Sequence, residues 1–150
     1  MGKRREGREA AAQFLFAHEL HGEHTAEEQS AFWTIHTAKP QVRAYAEELI
    51  RGVLSHQQEI DAVISPVVEN FRLERLAGVD RNILRVAVHE LMNVPDVPAP
   101  VILNEAIEVA KNLGGNESGA FVNGVLHRLM RQIRPMKTNG PAARQAADQA

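Results

Sequence analysis

The residues of this chain best suited to chemistry are the arginines near its start. Arg4, Arg5 and Arg8, together with Lys3, give the first eight residues a local charge of +3 in spite of Glu6. Guanidinium groups bind phosphate oxygens through paired hydrogen bonds, so this basic arm is the first candidate for contact with nucleic acid. The alternative is a frayed terminus whose charges are simply solvated.

Two other groups of titratable residues are weaker candidates. Three histidines follow one another at i, i+3 spacing: His18, His21 and His24. Gly22 interrupts them and no carboxylate or cysteine completes a ligand set, so we predict no metal site. Glu90 falls inside an apolar stretch, where an ionised carboxylate needs hydrogen-bond donors. Since no second titratable group is placed with it, we interpret Glu90 as a buried structural acceptor of a hydrogen bond from a neighbouring helix end. We predict neither catalysis nor a cofactor.

Composition restricts the protein class further. The 150 residues match one ordinary domain, and the absence of cysteine excludes disulfides, thiolate metal sites and cysteine nucleophiles. No apolar run approaches the roughly 18 residues of a membrane span, and the start of the chain does not read as a signal peptide. We therefore expect a soluble cytoplasmic protein. The net charge is −2, but both ends are basic, with five Lys or Arg and no acid from residue 118 to residue 147.

A hub helix is predicted over residues 80–93, where apolar side chains cover about two-thirds of the circumference. A helix that is so apolar is surrounded by other helices. Asp80 is a good N-cap, and Pro95 follows the predicted end. The remaining residues form one polar stripe: Arg81, Asn82, Arg85, His89 and Asn93. We expect a substitution in this stripe to cost little stability unless the stripe is a binding surface.

Helical periodicity of apolar residues also predicts helices in the rest of the chain. The other predicted helices span about residues 8–20, 25–37, 40–66 with a phase break near 55–58, 100–114 and 116–133. Thr25 and Asn116 are the predicted N-caps of the second and last helices, and Gly119 and Gly124 are predicted to permit close helix contact. The inward face of the first helix is assigned to Ala12, Leu15, Phe16 and Leu20.

No segment alternates with period two, so the fold class is an all-α helical bundle. We predict a single domain over residues 1–135, followed by a tail of Ala, Gln and Pro at 136–150 that has little to bury and is disordered.

Four segments taken together resemble the NusB family of bacterial transcription antitermination factors. They are REAAAQFLF, RLAGVDRNILRVAVHEL, DVPAPVILNEAIEVAKNLGG and ESGAFVNGVLHRL, and they extend the resemblance over residues 4–133. The last three are specific in their order and spacing. The resemblance implies seven helices in two subdomains, the first centred on the N-terminal helices and the second on the hub.

The resemblance also implies partners. Members of the family bind the boxA element of the ribosomal RNA leader as a heterodimer with NusE, a small-subunit ribosomal protein, and support ribosomal RNA transcription in a complex with other Nus factors on RNA polymerase. This chain offers basic ends but few aromatic side chains for stacking on bases, so a partner that completes the surface is expected.

The resemblance assigns RNA contact to six residues: Arg4, Arg5, Arg8, Phe16, Glu117 and Phe121. It assigns partner contact to Phe16, Asp80 and Glu117. Phe16 stands where the family commonly has tyrosine. Core packing is at least an equal explanation for Phe121, and helix capping is the alternative for the two acids.

Two other classes of function are alternatives to RNA binding with a protein partner. Certain ribosomal RNA cytosine methyltransferases carry a NusB-like N-terminal domain, but this chain ends too soon for a Rossmann-like domain and has no cysteine to attack cytosine. A purely structural, homodimerising helical domain would show no dependence on RNA. The sequence leaves open whether the free protein is a monomer or a homodimer.

Overall fold

The computed structural model describes residues 2–21, 26–68, 73 and 76–135. These residues form seven helices and no strand: α1 Lys3–His21, α2 Ala26–Ile35, α3 Pro40–Ser55, α4 Gln57–Ile64, α5 Gly78–Asn93, α6 Ala99–Gly114 and α7 Asn116–Ile133. The predicted all-α class is therefore confirmed. None of the helices in the described ranges is long and apolar enough to cross a membrane. The predictions for the tail at 136–150 and for a cap at Thr25 lie outside the described residues.

Two apolar cores divide the bundle into two subdomains. The first lies among α1, α2 and α3 and contains Phe14, Trp33 and Ile50. The second lies among α4, α5, α6 and α7. Helix α5 contributes to both, because Val86 packs in the first core while Leu84 packs in the second. The predicted role of this segment as the hub is confirmed.

Three of the five residues in the polar stripe of the hub helix are buried, namely Asn82, Arg85 and His89, while Arg81 is partly buried and Asn93 is exposed. This burial argues against the expectation that a substitution in the stripe costs little stability. All residues from Asn82 to Leu91 are buried. Arg85 donates to both oxygens of Asp61 on α4 at 2.8 and 3.0 Å, and Arg81 and Arg85 both pair with Glu19 on α1. Burial raises the pKa of Glu19, but the hydrogen bonds from the two arginines outweigh it and the pKa is lowered. The stripe therefore joins α5 to its neighbours through ion pairs.

The predicted N-caps of α5 and α7 are wrong. Ala77 is the N-cap of α5, so Asp80 lies in the first turn. Instead of capping its own helix, the Asp80 carboxylate accepts a hydrogen bond from the Ser118 hydroxyl in the first turn of α7. Gly115, with φ +88°, is the N-cap of α7 and turns the chain directly out of α6, a conformation that glycine adopts without strain. Asn116 is consequently the first helical residue.

Helix α1 differs from its prediction in its first residue and in the residues of its inward face. It starts at Lys3 and not near Arg8, so the basic arm is helical. Leu20 was assigned to the inward face but is 72% exposed, whereas Phe14, which was not assigned there, is 1% exposed. Of the two glycines predicted at close helix contacts, Gly119 fits, because a Cβ there would lie 2.7 Å from Lys111 Cγ. Gly124 has open space around it.

Candidate nucleic-acid interface

The first two turns of α1 are held against the second subdomain by arginines. Arg5 donates from Nε and Nη2 to the two oxygens of Glu105 on α6, at 2.8 and 2.7 Å. Both side chains remain partly exposed, at 29% and 21%. The hydrogen bonds from Arg5 lower the pKa of Glu105 below its usual value. Arg5 is therefore a cation at the surface that already has an anionic partner.

Arg8 has a different environment because it is buried. Its Nε and Nη2 donate to the two oxygens of Glu90 at 2.8 and 2.9 Å, and only 5% of its side chain is exposed. The Tyr45 hydroxyl donates to the same carboxylate at 2.9 Å. Burial, with the Glu90 charge adding to it, raises the pKa of Tyr45 to about 12. Arg8 thus joins α1 to α5 and is a weaker candidate for phosphate contact than its exposed neighbours.

Glu90 is buried and structural, as the sequence suggested, but its partners differ from the expected ones. The carboxylate is fully buried and accepts three hydrogen bonds, which come from side chains on α1 and α3 and not from a helix end.

Arg4 is an exposed cation of the arm, as is Lys3. Its guanidinium lies over the ring of Tyr45, 5.6 Å from the ring centre, and the described residues place no carboxylate within ion-pair distance of it. A cation on an aromatic face keeps most of its donors available, so Arg4 can bind an anion without first losing a partner.

A shallow polar cleft continues from the arm along α1 and α6. Arg5 meets Glu105, and Glu9, four residues further along α1, accepts a hydrogen bond at 2.6 Å from Asn112, seven residues further along α6. The two helices therefore advance in the same direction along the cleft. The cleft has a volume of about 260 Å³ and is lined by Arg5, Glu9, Glu108, Lys111 and Asn112. Lys111 adds a second partly exposed cation to the same track.

The three residues assigned to partner contact lie around the first turns of α5 and α7. Phe16 packs on the start of α5, where a Cβ added to Gly78 would lie 2.2 Å from the Phe16 ring. The bond between Asp80 and Ser118 brings exposed Glu117 to the same end of the bundle. Eleven residues separate Arg5 from Phe16 on α1, which corresponds to about 16 Å of helix. The basic arm and the acidic end therefore form the two ends of one surface.

Phe121 follows Glu117 by one turn on α7, and the histidines are placed as follows. Phe121 is partly buried and packs against the second core. His18 contacts Glu28 of α2 at 3.1 Å, and His24 lies outside the described residues.

Sequence reasoning missed the residues of α3 and α6 that surround the arm. It assigns no role to Tyr45, Glu105, Lys111 or Asn112. Arg5 and Arg8 stand three residues apart, which places them on one face if the arm is helical. That spacing could have shown that the two arginines face neighbouring helices. A prediction that starts the helix near Arg8 does not use it.

Comparisons with known proteins find relatives that are similar in sequence and in fold. The NusB family matches residues 5–131. The transcription antitermination protein NusB of Sorangium cellulosum is 49% identical over 133 residues, which cover 89% of this chain and 95% of that protein. The structure of T. maritima NusB is similar with a TM-score of 0.75 and 36% identity, covering 88% of this chain and 92% of that one. A chain from the crystal structure of antitermination factors NusB and NusE in complex with dsRNA is similar with a TM-score of 0.77 and 26% identity, covering 88% and 98%.

Proposed function

We propose a function from one premise, which is that the chain belongs to the NusB family. The relatives named above are transcription antitermination proteins, a name that describes a transcription factor and no catalytic activity. The protein acts in transcription antitermination in the bacterial cytoplasm, where it binds the boxA element of ribosomal RNA leader transcripts together with NusE. With other Nus factors on RNA polymerase, this complex supports transcription of ribosomal RNA operons.

The observation that carries this proposal is the surface with a basic arm at one end and an acidic end at the other. Arg4 and Arg5 supply charge for phosphates, and Lys111 adds a cation further along the cleft, which Glu9 and Glu108 also line. Phe16 and Phe121 are the aromatic side chains proposed for RNA contact beyond the arm. The similar structure that contains both NusE and dsRNA supports a surface that takes a protein and an RNA together.

A titration of labelled boxA RNA, with and without NusE, tests the function. We expect modest affinity for the protein alone and sequence preference mainly when NusE is present, because the chain carries a net charge of −2 and few aromatics. If both ligands share one surface, each raises the affinity for the other by the same factor, typically about 5 to 150-fold. No binding of boxA RNA in either condition would refute the proposal and favour a purely structural helical domain.

The arm is tested by the salt dependence of RNA binding. Replacing Arg4 and Arg5 by alanine should weaken binding and reduce the slope of log K against log salt by about 1.4, at roughly 0.7 per phosphate contact on a single strand. Arg51→Ala is the matched control, since Arg51 is an exposed arginine near the end of α3. An unchanged slope in the double variant would rule out phosphate contact by the arm. Arg8→Ala is not a suitable variant, because it breaks a buried ion pair.

The acidic end is tested by neutral replacements. Glu117 is exposed, so Glu117→Gln should strengthen RNA binding by removing repulsion of phosphate. Asp80→Asn should lower the affinity for NusE with little effect on RNA binding by the protein alone. If the two acids served only the helix ends, both variants would change the melting temperature slightly and leave both binding constants equal to those of the wild type.

A further inference from the structure

The two hydrogen bonds between Arg5 and Glu105 have a geometry that an RNA phosphate could also adopt with Arg5. A carboxylate and a phosphate both present two oxygens in one plane to a guanidinium, and Glu105 uses both of its oxygens on Arg5. The pair is at the surface and opens onto the cleft along α1 and α6. In the free protein, Glu105 thus occupies the donors that a phosphate would need.

We propose that Glu105 is an internal competitor of RNA, a carboxylate that holds Arg5 in the free protein and is exchanged for a phosphate when RNA binds. The inference rests on the proposed function. It adds to that function a residue, Glu105, that sets the affinity for RNA. Arg4, which has no such competitor among the described residues, makes the first contact, and Arg5 follows by exchange.

The exchange is inexpensive because Glu105 has a second cation nearby. Arg8 Nη1 lies 3.8 Å from Glu105 Oε1, in addition to its bidentate bond to Glu90. When Arg5 turns to a phosphate, the Glu105 carboxylate keeps Arg8 as a neighbour and stays partly solvated. Partly exposed ion pairs contribute little net stability, so breaking this one does not oppose binding strongly. The backbone of α1 need not move, since Arg8 and Glu90 hold it in place.

The test is the affinity of the full-length protein with NusE for a labelled single-stranded boxA RNA. Glu105→Gln removes the competing charge, and we expect it to raise affinity about two- to fivefold, the range that a partly exposed ion pair usually accounts for. Glu47→Gln is the matched control, because Glu47 on α3 is partly exposed and pairs with an arginine, Arg43, that has no place in the proposed RNA surface. It removes the same charge without freeing Arg5, so the affinity of this variant should change less.

A double-mutant cycle separates exchange from general repulsion. In the Arg5→Gln background, Glu105→Gln should no longer increase the affinity, because there is no guanidinium left to release. Thermal unfolding of each variant establishes that the bundle is intact. The gain in the single variant should also persist at several salt concentrations with a slope at least as steep as that of the wild type.

Three results would overturn the inference. They are an unchanged or lower affinity for Glu105→Gln, an equal gain for Glu47→Gln, and a gain that survives in the Arg5→Gln background. In each case wild-type binding to boxA RNA would still support the proposed function. Failure of the wild type to bind boxA RNA with NusE would refute both.

Discussion

Replacing Glu90 by leucine should show how much the buried pair with Arg8 matters for the joint between the two subdomains. Glu90 is fully buried, and Arg8 is 5% exposed. Without the carboxylate, Glu105, 3.8 Å away, is the one anionic neighbour that the described residues leave to the guanidinium. Leaving a buried charge without its partner typically costs about 3 to 5 kcal/mol, so we expect a loss of that size in the free energy of unfolding. This is a large part of the total stability of a typical domain.

The informative comparison is the double variant Arg8→Met with Glu90→Leu. Since both charges are then removed, neither has to be desolvated, and the stability should return to within about 2 kcal/mol of the parent protein. All variants are made in a Tyr45→Phe background, because the Tyr45 hydroxyl donates to Glu90 and would otherwise lose its acceptor.

Urea unfolding followed by far-UV circular dichroism measures the four free energies. The coupling energy of the cycle should be several kcal/mol, since each single replacement leaves one buried ion unpaired. A loss below about 1 kcal/mol for Glu90→Leu alone would mean that the pair is hydrated in solution. Losses that simply add in the double variant would equally refute the reasoning.

Three further predictions concern the hub helix. Leu84 is fully buried, so Leu84→Ala should lower the free energy of unfolding by about 2 to 5 kcal/mol, and a loss below about 1 kcal/mol in urea would contradict its burial. Arg85→Ala should cost about 1 to 3 kcal/mol in the same assay, because Asp61 and Glu19 lose the hydrogen bonds from Arg85, although Glu19 keeps those from Arg81. Arg51→Ala, at an exposed site, should cost less than about 0.5 kcal/mol. Burial lowers the pKa of His89 from 6.5, with His56 stacked beside it, so below pH 6.5 the unfolded chain binds a proton that the folded chain does not. Stability should therefore fall as the pH drops below 6.5, and His89→Gln should reduce this dependence; parallel pH curves for the two proteins would contradict it.

The sequence by itself determined the helices and most of their limits. The break between α3 and α4, the end of α4 before Pro66 and the start of α6 beside Pro100 all follow local rules. Apolar periodicity also identified α5 as the hub, because a helix that is apolar on most of its surface has to be surrounded. These features depend on residues that are close in the chain, so spacing alone reveals them.

Only the tertiary structure decided the environment of the charged residues. Arg8 and Glu90 are 82 residues apart, and the periodicity of neither helix shows that they meet. The sequence predicts that the polar stripe of α5 tolerates substitution. The structure differs because the acidic partners of the stripe are on α1 and α4, which the sequence of α5 does not reveal. A local rule predicts that Asp80 caps its own helix, but its carboxylate accepts a hydrogen bond from Ser118 on another helix. Whether a charge is solvated or paired depends on the groups that other helices bring to it, and this is the information that a single sequence does not contain.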